Sequence, residues 1–170
     1  MRWGDVELDG ALPVFRIEQA VAIVGKKGDG GFAKVKGPKT KGSKRTMPLH
    51  PAARTALVEW RGRWAELVGR EPRAEDFVFP GPDGEAARPR SAGQIREDLA
   101  RLGLPTEIRG QAIEFRATRS SFATWLEEAG VSEQVRKRLM GHAVRDVTER
   151  HYTVREVEQL AQAVRTIPVR

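Results

Sequence analysis

The hydrophobic rhythm of this chain changes at Pro51, and that change constrains the fold more than any other feature. Before it, "LPVFRIEQAVAIVG", "FAKVKG" and "RTMPL" are short segments rich in Val, Ile and Phe or alternating in the manner of half-buried strands. "GKKGDGG" and "PKTKGSK", which separate them, carry the Gly, Asp, Ser and Pro of tight turns. After Pro51 the apolar residues fall at helical spacing. "PAARTALVEWRGRWAELVGR" sets Ala53, Leu57, Trp60, Trp64 and Leu67 on one face, with Pro51 in the first turn and the tryptophans assigned to core packing. "FVFPGPDG" reads as a short buried strand and loop. Ser91 caps a second helix ending at Gly103, and "LPTEIRGQAIEF" is a connector. Short helices follow: "ATRSSFATWLEEAG", "SEQVRKRLMG" capped by Ser132, "RDVTERHYT" and "VREVEQLAQAVR". The expected architecture is α+β, a small antiparallel sheet with a basic hairpin followed by about six helices.

Charge is distributed as unevenly as hydrophobicity. The chain of 170 residues carries a net charge of +7, and residues 26–45 alone hold eight Lys or Arg against one Asp. The other residues balance at 22 basic and 22 acidic. A basic stripe on the turns and strands of a hairpin suits a polyanion, most simply a nucleic-acid backbone. The ordinary alternative is a solvated lysine-rich loop with no partner. The absence of cysteine excludes disulfide frameworks, thiol nucleophiles and Cys-type zinc sites, and no apolar run approaches a membrane span.

The C-terminal third concentrates groups that suit phosphoryl chemistry. Arg116 and Arg119 stand three apart and share a helix face. Gly141-His142 ends the next helix, and Tyr152, the single tyrosine of the chain, follows ten residues later. Guanidinium groups grip two phosphate oxygens and remain charged at any working pH. A phenol can attack phosphorus if nearby positive charge and a histidine ease loss of its proton. A lysine on the hairpin, drawn from Lys39, Lys41 and Lys44, can protonate the leaving oxygen. Taken singly, each group has an ordinary reading: ion pairs of the arginines with Glu114 or Glu127, a helix-terminal histidine, a packed tyrosine.

The ordered set "PKTKGSKRTMPLHP", "RATRSSFATWLEEAGV", "LMGH" and "TERHYT" resembles the catalytic domain of the tyrosine recombinases, the phage-integrase family. The resemblance covers essentially the whole chain, with "RWGDVELDG" similar to the family's first strand. It implies cleavage and rejoining of double-stranded DNA through a 3′-phosphotyrosyl intermediate, with Tyr152 as nucleophile and without metal, ATP or another cofactor. Arg119 matches the second catalytic arginine, and His142 matches the His or Trp that supports the phosphate. Arg116 stands where the family usually has histidine. Lys39 is the expected hairpin acid, with Lys41 as the alternative, and Lys36, Lys41, Lys44 and Arg45 are expected on the DNA backbone. His151 is the alternative occupant of the tyrosine position.

The resemblance also implies a first catalytic arginine in a helix upstream of "RWGDV" and a separate N-terminal DNA-clamping domain. Neither is found in this sequence, and Arg2 lies too close to the strand to stand in for that arginine. Residues 1–170 are therefore expected to form a single catalytic-type domain with impaired chemistry, the alternative being a DNA-binding remnant that does not cut. A third reading, a helix-turn-helix regulator built on "SEQVRKRLMGHAVRDVTERHY", leaves the basic hairpin and the Arg pair unexplained. The partner is expected to be DNA rather than a membrane or a small molecule, in the cytoplasm of a bacterium or of phage origin. Homo-oligomers through the C-terminal helix, with Val154, Val157, Leu160, Ala161 and Val164 on one face, are an alternative to that helix folding back on its own core.

Overall fold

The computed structural model describes residues 1–24, 32–37, 44–82, 84–87, 90–142 and 154–168. A 3-10 turn, Trp3–Asp5, precedes β1 (Val6–Glu7), β2 (Val14–Ile17), β3 (Ala20–Val24), β4 (Phe32–Lys36) and β5 (Arg45–Pro48). The helices are α1 (Pro51–Val68), α2 (Ala92–Arg101), α3 (Arg116–Glu128), α4 (Glu133–Met140) and α5 (Val154–Arg165). Between α2 and α3 lies a two-residue hairpin, β6 (Glu107–Ile108) with β7 (Gln111–Ala112). The α+β architecture expected from the sequence is present, with five α-helices among the described residues rather than six. The segment "RDVTERHYT", expected to be helical, lies outside them.

The strands pair antiparallel in the order β1-β2-β5, and β3 pairs with β4 as a second ribbon. Ile17 pairs with Arg45 and Ala20 with Lys36. Residues 37–44, which carry the lysine-rich turn sequence, connect β4 to β5. Residues 38–43 of it, with Lys39 and Lys41, lie outside the described residues.

Two apolar clusters hold the elements. The first joins Met47 of β5, Leu126 of α3, Leu139 of α4 and Leu160, Ala163 and Val164 of α5, with Phe15 and Ile17 of β2 packed against it. Leu126 is fully buried at the centre. Leu126→Ala removes three buried carbons from a well-packed site and is expected to destabilise the fold by about 2–5 kcal/mol, read by urea denaturation. α5 packs back on its own sheet, with Val157, Leu160, Ala161, Ala163 and Val164 buried.

The second cluster joins Trp3, Leu8, Trp64 and Val78, with Leu57 and Trp60 partly buried against it. Both α1 indoles donate across to the following loop, Trp60 Nε1 to the Val78 carbonyl at 2.6 Å and Trp64 Nε1 to the Phe77 carbonyl at 3.1 Å. The core face of α1 is narrower than its periodicity suggests: Ala53 and Leu67 are exposed. Among the described residues no layer covers the two ends of that face, so helical spacing overstated the stripe. The "FVFP" segment is buried at Phe77 and Val78 but contributes isolated bridges, Arg2 with Phe77 and Pro80 with Ala86, rather than a strand. Arg2 donates to the Glu75 carbonyl at 2.6 Å and lies 4.7 Å over the Phe77 ring, so its role is in this packing.

Asp76 fastens the end of α1 to that loop. It accepts from Arg70 Nη1 at 2.6 Å and Nη2 at 2.9 Å, and from the Arg73 backbone N–H at 2.7 Å. The Arg70 fork, followed by the Arg73 amide, lowers the carboxyl to about 2. A depressed carboxylate stabilises the fold above the ordinary carboxylate range, and the effect disappears as pH falls through the depressed value. Asp76→Asn is therefore expected to lower the melting temperature at neutral pH, with the gap to the parent closing between about pH 4 and pH 2. Thermal melts across that range measure it.

Candidate active site

The candidate site forms where α4 ends. Ser132 caps its start, with the Val135 N–H at 3.5 Å from the Ser132 oxygen, and the helix closes at Gly141. Gly141 has φ +67°, in the left-handed region that favours glycine. Its N–H reaches the Arg138 carbonyl at 3.0 Å, and the His142 N–H reaches the Lys137 carbonyl at 2.9 Å. These two bonds fix where the backbone of His142 stands, and its side chain is exposed.

Two arginines from distant parts of the chain meet that corner. Arg119, on α3, donates from Nη2 to the Met140 carbonyl at 2.6 Å. This contact satisfies a helix-end carbonyl and sets the Arg119 guanidinium at Met140, two residues before His142 in the chain. Four of its five N–H donors remain for another acceptor. Arg45, on β5, also lies against Gly141: a Cβ built on Gly141 would overlap the Arg45 guanidinium, 2.5 Å from its Cζ. A side chain at position 141 would displace the Arg45 guanidinium, the end of a flexible side chain, so the firm demand for glycine is the left-handed φ.

Arg116 is exposed at the first position of α3, one turn before Arg119 on the same face. A cation there opposes the positive end of the helix dipole, so local helix physics does not favour it. Among the described residues its side chain has no hydrogen-bond or ion-pair partner. The ordinary pairings weighed for the two arginines are not formed: Glu127 pairs with Arg136 at 3.0 Å. Lys44 pairs with Glu18 at 2.9 Å beside the inserted loop. Lys36 ends β4, and its side chain lies outside the described residues. Tyr152, His151, Lys39 and Lys41 also lie outside them. Among the described residues no group of three or more His, Cys, Asp or Glu is placed to hold a metal ion, and no helix is long and apolar enough to cross a membrane.

The structure therefore brings Arg45, Arg119 and His142 to one corner, with Arg116 a turn away. Residues 15–159 match the phage integrase family. The chain belongs to that family. It is also 28% identical over 176 residues to a tyrosine recombinase XerC-like protein of Caldanaerobacter subterraneus subsp. tengcongensis, an alignment that covers 98% of this chain and 44% of the relative. No solved structure matches. Within a phage integrase fold the Arg119–Met140 contact and the Gly141 corner account for how the Arg-x-x-Arg and Gly-His segments, far apart in sequence, come together. What the sequence reading missed is the inward position of Arg45. Its signal was available: Arg45 lies two residues before Met47 and shares its face of β5, the face that packs on the helices.

Proposed function

We propose that this chain is the catalytic unit of a DNA-breaking and rejoining enzyme in which Tyr152 is the nucleophile. The tyrosyl oxygen attacks the scissile phosphorus, the bond to the 5′ oxygen breaks, and a 3′-phosphotyrosyl linkage forms. Arg116 and Arg119 neutralise the charge that builds on the phosphoryl oxygens, His142 supports the same group, and Lys39 gives its proton to the leaving 5′ oxygen. Attack by a 5′ hydroxyl on the phosphotyrosyl bond reverses the step, so no metal or nucleotide is required. Lys36, Lys41 and Lys44 are read as the basic face toward the duplex, whereas Arg45, expected there from the sequence, lies at the Gly141 corner. The convergence of Arg119 and Gly141-His142 through the Met140 carbonyl carries this reading, together with membership of the family.

The proposal includes a cytoplasmic, DNA-associated location in a bacterial host and integration or excision of a mobile element as the outcome. It treats residues 1–170 as one catalytic-type unit. Assembly on DNA through α5 would require that helix to leave its own sheet, so the free chain is expected to be monomeric. A second reading, a DNA-binding remnant that does not cut, is favoured by Arg116, which holds a phosphate but cannot serve as an acid or base near neutral pH. A nicked suicide substrate built from flanking genomic DNA separates the two. A covalent protein–DNA band on a denaturing gel supports cleavage; salt-sensitive binding with no band supports the remnant.

A further inference from the structure

We propose that Arg45 is a positioning residue that fixes the Gly141-His142 corner from the basic ribbon, rather than a contact to the DNA backbone. The inference deepens the reading of His142 as a phosphate-supporting group and rests on it.

Three observations carry it. First, the face: Arg45 pairs with Ile17, and Met47 with Phe15. Directly paired residues of an antiparallel ladder project to the same side. Ile17, Phe15 and Met47 all pack in the cluster formed with α3, α4 and α5, so Arg45 continues the inward row rather than the solvent row. Second, the contact: its guanidinium occupies the space that a side chain at position 141 would fill. Third, the electrostatics: the end of α4 presents the negative end of the helix dipole, which a guanidinium lying there favours.

The consequence is mechanical coupling. β5 begins directly after residues 37–44, which carry Lys39 and Lys41. The first residue of that strand places its guanidinium beside the backbone immediately before His142. Arg119 holds the same corner from α3 through Met140.

The test uses the full chain with Arg45→Ala and Arg45→Lys. Binding to a random-sequence duplex is measured across a salt series, and the ring resonances of His142 are followed by NMR without DNA. The chain has three histidines, so His142→Gln assigns the signal. The positioning role requires the His142 resonances to move in Arg45→Ala, with affinity and salt dependence close to the parent. It also requires Arg45→Lys, which keeps the charge but loses the flat fork, to leave the resonances displaced. Where the suicide substrate yields a covalent band, single-turnover cleavage at saturating DNA is expected to fall by about a hundredfold in Arg45→Ala, the scale of a misplaced catalytic group. Unmoved His142 resonances overturn the proposal, even if the melting temperature falls. So does a weakened affinity whose salt slope drops by about one, the mark of a lost phosphate contact. If Arg45→Ala does not fold, Arg45→Lys decides by the same signals. A chain that never cleaves would overturn the proposed enzymatic function while leaving the resonance and binding results able to decide the role of Arg45.

Discussion

Tyr152→Phe is expected to abolish the covalent protein–DNA band while leaving DNA binding intact. The variant loses one oxygen and keeps the ring. No other residue of the chain has a phenol, so no second tyrosine can take over. The basic stripe of residues 26–45 is unchanged by the substitution, and the salt dependence of binding should therefore match the parent. The neighbouring His151 makes the experiment sharper. If the imidazole rather than the phenol attacked phosphorus, the variant would retain an adduct, and that adduct would be acid-labile, as phosphorus–nitrogen bonds are. An acid-stable band in the parent that vanishes in Tyr152→Phe assigns the nucleophile. An acid-labile band that persists reassigns it to histidine.

Arg119→Ala is expected to lower the cleavage rate at saturating DNA by about 10²–10³-fold, the usual cost of removing one preorganised donor from an oxyanion-stabilising set. Its effect on stability should be small. Arg119 is exposed, and the carbonyl of Met140 that loses its partner can be met by water. The difference between the two readouts is the useful result. A large kinetic loss with a nearly unchanged melting temperature places the guanidinium on the phosphate. A fall in melting temperature with an unchanged rate would confine Arg119 to closing the end of α4. Arg119→Lys keeps a charge near the phosphate but cannot present a flat two-pronged donor, and should recover only part of the rate.

The sequence by itself determined most of the elements and their order. Local spacing reports which residues share a face, and that sufficed for the strand segments before Pro51, for α1 opened by Pro51 and for α2 capped by Ser91; His50 as the cap of α1 and Gln94 as the partner of Ser91 came from the structure. The same spacing placed Arg116 with Arg119 on α3 and predicted the stop at Gly141. Motif order pointed to the family, which the match over residues 15–159 established.

Spacing says which residues share a face, but not what that face meets. Whether α5 covers its own sheet or another chain depends on contacts far apart in sequence, and the structure places it against β5, with Arg138 of α4 paired to Glu156 of α5. Ala53 and Leu67 obey helical periodicity and are nevertheless exposed, because among the described residues no neighbouring element reaches those ends of α1. Lys44 and Arg45 are adjacent cations in one basic run, equivalent by composition. Strand alternation and the packing above β5 separate them: Lys44 pairs with Glu18 at the exposed edge, while Arg45 turns inward to the glycine before His142. Charge content is additive along a chain, whereas the side of a strand on which a charge emerges depends on register, and which side becomes the interior is decided by the helices that pack on it.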